Sequence, residues 1–131
     1  MEHKRILIDT SVLIDHFRRK RKDKTLFFEL AQNYDCLISS ITKFEFSVGS
    51  TSQNREYTEK LLALLPALPF DSASVRSAVD IYRTLKARNQ LISLPDIFIA
   101  ATAIANDLPF QTLNRKHFER IDNLKLDIKK R

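Results

Sequence analysis

Two kinds of hydrophobic spacing alternate along the chain and divide it into strands and helices. Ile6, Leu7 and Ile8 form a continuous apolar run that stops at Asp9, which predicts a short buried strand over Arg5 to Asp9. Val12, Leu13, Ile14 and Phe17 then fall at helical spacing, with Thr10 and Ser11 available as caps, and this helix ends in the basic run Arg18 to Lys22. A helix over Leu26 to Gln32 and a strand over Cys36 to Ser39 follow, and Ser39 and Ser40 can cap a third helix over Ile41 to Val48. Gly49, the single glycine, stands where a helix C-terminus takes a left-handed residue, and the polar stretch after it reads as loop.

The second half repeats the alternation. Helices are predicted over Glu56 to Leu65 and Ser72 to Arg88, with a short strand near Ala67 to Phe70 that Pro66 and Pro69 hold to a sheet edge. In the second of these helices Val75, Ala78, Val79, Tyr82 and Leu85 share a face, while Arg76, Arg83, Lys86 and Arg88 make a basic side that reads as solvated surface. Asp96 to Ala105 is apolar after its first residue, as in a helix buried on most sides. A strand at Phe110 to Leu113, a turn of helix around Lys116 to Arg120 and a last strand near Leu124 to Ile128 complete the series. Short strands joined by helices imply an α/β fold in three layers, a mainly parallel sheet between helices, because parallel neighbours need crossover connections. Such sheets place ligands beyond the C-terminal ends of their strands, which is where Asp9 falls.

Composition narrows the class. With 131 residues and 44% apolar content the chain has material for one core, and a single domain over 1–131 is expected. One cysteine, Cys36, sits in an apolar run and reads as strand packing; the absence of a disulfide framework suits a cytoplasmic protein. No apolar stretch is long enough to span a bilayer. The formal charge of +6 suits a polyanionic partner, although charge of that sign reports association and solubility before chemistry. The run Arg18 to Lys22 can steer a polyanion or simply solvate a helix end.

The chemistry rests on acids. Asp9 either caps the following helix or reaches into a site at the sheet edge, and Asp96, after Pro95 at a helix start, fits an ordinary first-turn pattern. Glu45 changes the balance: Ile41, Phe44 and Val48 surround it at helical spacing, putting its carboxylate on the stripe expected to face inward. An inward carboxylate needs a cation, a donor or a proton. A metal ion shared with Asp9 and Asp96 satisfies all three, and oxygen ligands from separate segments are what Mg²⁺ or Mn²⁺ takes. One glycine rules out a Gly-rich phosphate loop, and no Cys/His cluster suggests zinc.

At this point the chain resembles the PIN-domain family, and within it the VapC-type toxins. The resemblance lies in Ile8-Asp9-Thr10-Ser11 after the first strand, Ile38-Ser39-Ser40-Ile41-Thr42 with Glu45 and Gly49, Asp96-Ile97-Phe98-Ile99-Ala100-Ala101-Thr102, and Thr112-Leu113-Asn114-Arg115-Lys116-His117-Phe118. These blocks occur in family order over nearly the whole chain. The resemblance implies a PIN fold and cleavage of RNA with Mg²⁺ or Mn²⁺. It also implies Asp9, Glu45 and Asp96 as catalytic metal ligands, Thr10, Thr112, Asn114 and His117 as supporting groups, an antitoxin partner and a homodimer.

One departure stands out. The last block of the family commonly ends in an Asp-Phe pair, and here it is His117-Phe118. An imidazole can ligate a metal or hold a water, but it removes one negative charge from a site built for a cation. Asp107 and Asp122 lie in turn-like positions outside the motif and do not replace the missing acid. The rival reading is a module that keeps the fold and binds RNA or protein without cutting.

Overall fold

A computed structural model describes residues 4–126. Its centre is a four-stranded sheet of order β3-β2-β1-β4, formed by β1 (Lys4–Ile8), β2 (Tyr34–Ser39), β3 (Ala67–Leu68) and β4 (Phe110–Gln111). Every pairing is parallel: Ile6 lies opposite Cys36, Leu7 opposite Phe110, and Ile38 opposite Ala67. Leu126 adds a single parallel bridge to Phe110, and the remainder of the strand expected to Ile128 lies outside the described residues.

The connections are helical: α1 (Thr10–Arg18), α2 (Leu26–Asn33), α3 (Ser40–Val48), α4 (Arg55–Ala63), α5 (Ser72–Ala87), α6 (Leu94–Ala105) and α7 (Arg115–Phe118), with a 3₁₀ turn at Lys22–Lys24. Because side chains alternate along a strand, the unbroken apolar runs supply two cores at once. Leu7, Leu37 and Phe110 face α5 and α6, where Ile81, Leu85, Ile97 and Ala101 meet them. Ile6, Ile8, Cys36 and Ile38 face the opposite layer, against Val12, Leu13, Leu30 and Phe46. The three-layer expectation holds, and burial pushes the Cys36 thiol up to about 11, as suits a packing residue.

Several local expectations need correction. The N-cap position of α1 is Asp9, which makes no side-chain cap bond, and Thr10 and Ser11 are helical residues whose hydroxyls are used elsewhere. Ser39 does cap α3 by accepting from Thr42 N–H at 3.0 Å, whereas Ser40 donates to the Leu68 carbonyl and so ties α3 to the edge strand. Gly49 is not left-handed; its φ of −78° is ordinary right-handed backbone. The left-handed positions are Asn89 (φ 55°) and Asp107 (φ 51°), which end α5 and α6. In both, the next residue bonds back five positions: Gln90 N–H to the Leu85 carbonyl at 2.8 Å, and Leu108 N–H to that of Ala103 at 3.0 Å.

The apolar stripes are also rotated from their predicted faces. On α3 the buried residues are Thr42 and Phe46, while Phe44 and Val48 are 66% and 65% exposed. On α5 the buried set is Ser74, Ala78, Ile81 and Leu85, leaving Val75, Val79 and Tyr82 toward solvent. The expected inward stripe around Glu45 therefore does not exist, and another reason for its position is required.

Candidate active site

Asp9 follows the last residue of β1, so the central strand delivers it to the C-terminal edge of the sheet. Its side chain is only 2% exposed. Two hydroxyls donate to the same carboxylate oxygen, Oδ2: Ser11 at 2.7 Å and Thr112 at 2.8 Å. Thr112 stands just past β4, so the parallel β1–β4 pairing brings together groups more than a hundred positions apart in sequence. Thr112 Oγ1 also accepts from Asn114 N–H at 2.9 Å, and Ser11 Oγ accepts from Leu113 N–H at 3.1 Å. Burial raises the Asp9 carboxyl above the usual carboxylate range; the two hydroxyls pull it back, and the charge of Asp96 adds to the rise.

Glu45 is held by a chain of hydroxyls. A carboxylate only accepts, so Thr10 Oγ1, 2.8 Å from Glu45 Oε1, spends its one proton there. Thr42 Oγ1 lies 3.0 Å from Thr10 Oγ1 and shares in that contact, while Ser39 Oγ donates to Thr42 at 3.3 Å. Ser39, Thr42 and Thr10 are all buried. Glu45 is thus drawn toward Asp9 from the side of its helix next to Thr42, by Thr10 immediately after Asp9.

Asp96 enters from the first turn of α6, whose N-cap Ser93 accepts from Asp96 N–H. Its partner is His117 on α7, with Nδ1 3.5 Å from Asp96 Oδ2. Among the described residues, no Lys or Arg pairs with Asp9, Glu45 or Asp96. Nor do any three His, Cys, Asp or Glu side chains stand close enough, as placed, to share one ion. The three carboxylates rest on hydroxyls and an imidazole rather than on one another.

The donor set suits a hard divalent cation: carboxylate oxygens from three separate segments, one of them buried, with hydroxyls orienting two of them and no ammonium or guanidinium neutralising any. Asn114, expected as a supporting side chain, is tied to Thr112 through its backbone N–H. The pattern along the chain missed Ser11 and Thr42 as site residues, because each reads locally as a helix-start residue. The spacing Ser39-x-x-Thr42 was the available signal, since it buries both hydroxyls at the mouth of β2.

The basic run is mostly engaged locally. Lys22 Nζ donates to the carbonyls of His16, Phe17 and Arg19 at 2.7–2.8 Å, closing the C-terminal end of α1, and lies over the Phe17 and Tyr57 rings. Arg19 pairs with Asp15, and Arg21 with Asp23. Arg18 instead lines a pocket of about 200 Å³ together with Ile14, Phe17, Glu45, Phe46 and Asn54.

The PIN domain matches residues 6–124. Ribonuclease VapC1 of Methanocaldococcus jannaschii is 38% identical over 128 residues, covering 97% of this chain and 88% of that protein. Ribonuclease VapC10 of Mycobacterium tuberculosis is 32% identical over 120 residues, covering 92% and 90%. Among solved structures, DNA-bound VapBC from Salmonella typhimurium superposes with a TM-score of 0.80 at 25% identity, over 95% of this chain and 97% of the other. The chain belongs to the PIN-domain family and, within it, to the VapC ribonucleases.

Proposed function

We propose that the chain is a metal-dependent endoribonuclease, a hydrolase of RNA phosphodiester bonds that serves as the toxin of a toxin–antitoxin pair, and that it holds Mg²⁺ or Mn²⁺ on Asp9, Glu45 and Asp96. The observation that carries this reading is the buried Asp9 carboxylate, oriented by Ser11 and Thr112, sensing the charge of Asp96 and adjoining the Thr10 that grips Glu45. Asp9, Glu45 and Asp96 would hold the divalent ion, whose chemistry there would be activation of water and offset of phosphate charge. Thr112 and Ser11 keep Asp9 in one rotamer, Thr10 keeps Glu45 turned toward it, and Arg18 offers positive charge on the Glu45 side. The net charge of +6 favours approach of RNA. A cytoplasmic location, where such RNA is found, is proposed with this substrate; among the described residues no helix is long and apolar enough to cross a membrane.

The assay is digestion of a mixed RNA pool with Mg²⁺, Mn²⁺ or EDTA, beside Asp9→Asn and a DNA control. Metal-dependent products from the unaltered chain, lost in Asp9→Asn, are expected. Binding without products would favour the non-cutting module, for which His117 in place of the fourth acid is the main support.

An antitoxin and a second copy of this chain are the proposed protein partners. Two separate apolar areas support more than one contact: a groove of about 380 Å³ between α5 and α6 lined by Val75, Val79, Tyr82 and Leu94, and the outer edge of α3 with Phe44 and Val48. Light scattering of the isolated chain tests the homodimer; a monomer at tens of micromolar would exclude it.

A further inference from the structure

The pocket of about 200 Å³ beside Arg18 lies between α1, α3 and the start of α4, with Glu45 in its wall. Glu45 is bonded to Thr10, the residue after Asp9, so whatever fills the pocket adjoins the acids. The space is smaller than the roughly 300–1,000 Å³ of a site for a drug-sized ligand, which suits a single ring system.

Its wall is part aromatic and part hydrogen-bond donor. Phe17 is half-buried and packs at steep angles against Phe46 and Tyr57, with ring centroids 5.9 and 5.5 Å away. Arg18 is exposed, and among the described residues its guanidinium has neither an ion pair nor a hydrogen bond, whereas Arg19 and Arg21 have both. Asn54 is half-buried, and its Oδ1 accepts from Thr51 N–H at 2.7 Å, which fixes the amide. The group Asn54 has left to offer the pocket is its NH₂, a donor.

These parts match how single-stranded RNA is read. An unstacked base is taken against an aromatic ring or a guanidinium plane and sorted by hydrogen bonds along its edge. Building on the reading of the chain as a ribonuclease, we propose that the pocket is a nucleobase subsite for a nucleotide beside the scissile phosphate, and that Asn54 is its specificity-determining residue. The wall shared with Glu45 favours substrate over a protein segment as the occupant. Because the sorting group is a donor, it selects bases with an oxo acceptor, uracil and guanine, over cytosine and adenine, which carry an amino group at that edge. Arg18 holds the adjoining phosphate and does not choose between bases.

The test measures binding in EDTA at low salt, so that nothing is cut. The probes are short dye-labelled RNAs that are all-uridine, all-cytidine, all-inosine or all-adenosine; within each oxo and amino pair the difference lies at the ring edge. Fluorescence anisotropy should rank uridine over cytidine, and inosine over adenosine, by about 5-fold or more. Asn54→Asp keeps the acceptor for Thr51 and exchanges the donor for a second acceptor, so both rankings should reverse. Arg18→Gln should weaken all four RNAs alike and lower the salt dependence of binding. Far-UV circular dichroism checks that both variants stay folded. In the unaltered chain, the side-chain amide NMR signals of Asn54 should shift with all-uridine RNA. Equal affinities within each pair, or a ranking that Asn54→Asp leaves unchanged, would overturn the subsite. Asn54 signals that bound RNA does not move would give the pocket to a protein segment and overturn it as well. Cleavage of the mixed pool without any ranking removes the subsite and leaves the ribonuclease; ranking without metal-dependent products removes the ribonuclease reading and leaves a base-sorting RNA site.

Discussion

Replacing Thr112 with valine is the sharpest probe of how the site is held, because it keeps the side chain's shape and removes one oxygen. That oxygen donates to Asp9 Oδ2 at 2.8 Å and accepts from Asn114 N–H at 2.9 Å, in a residue 2% exposed. A hydrogen bond to a charged group contributes about 1.5–3 kcal/mol, and stranding a partly buried N–H costs about 1 kcal/mol more. Thr112→Val should therefore lower stability by about 2.5–4 kcal/mol, which for a domain of this size is a fall of roughly 9–15 °C in Tm. Metal affinity, or activity at fixed metal, should fall by about 10–100-fold as the Asp9 carboxylate loses one of its two anchors. Thr112→Ser restores the hydroxyl and should recover most of both. Chemical denaturation with a metal titration on the three proteins decides the matter. If valine leaves stability within about 1 kcal/mol and metal affinity unchanged, the hydroxyl does not hold Asp9 and the reasoning fails.

The remaining predictions concern backbone and charge. Gly49→Ala should raise stability by about 0.4–1 kcal/mol, since the conformation is right-handed and an added Cβ meets only the Glu45 and Phe46 carbonyls at 3.5 and 3.7 Å. Asn89→Gly should raise it by about 0.5–1 kcal/mol, because Asn89 occupies the left-handed position that glycine fills without strain; a fall in denaturation midpoint in either variant refutes the argument. Burial, then the charge of Lys22, lowers the His16 imidazole below its ordinary value, with Asp15 opposing. The unfolded chain therefore takes up this proton first as pH falls, so the stability contribution is complete above about 6.5 and declines below it. His16→Gln should flatten the dependence of Tm on pH between neutrality and about pH 5.

The layered architecture was legible in the sequence because each strand is an unbroken apolar run and each crossover carries helical spacing. Asp9 and Asp96 were legible as strand-end and helix-start acids, and the charge of Asp96 reaches Asp9. The orientation of Glu45 was reached for the wrong reason. Phe44 and Val48 point to solvent, and the carboxylate is held by Thr10 from another helix, an interaction that periodicity along a single helix cannot show. Gly49 misled in a similar way: glycine permits a left-handed residue without requiring one, and the chain assigns that conformation to Asn89 and Asp107. Ser11 and Thr42 looked like helix-start residues because their distant partners, Leu113 N–H for Ser11 and Thr10 for Thr42, are brought up only once the sheet has formed.

The central position of β1 in the sheet has a consequence for synthesis. Asp9 is made well before its Thr112 anchor and its neighbour Asp96, which lie far downstream of it. A nascent polypeptide still on the ribosome has no assembled centre until β4 has emerged and paired. In a ribonuclease wired in this order, the groups that orient the Asp9 carboxylate meet it only after both ends of the sheet have been made.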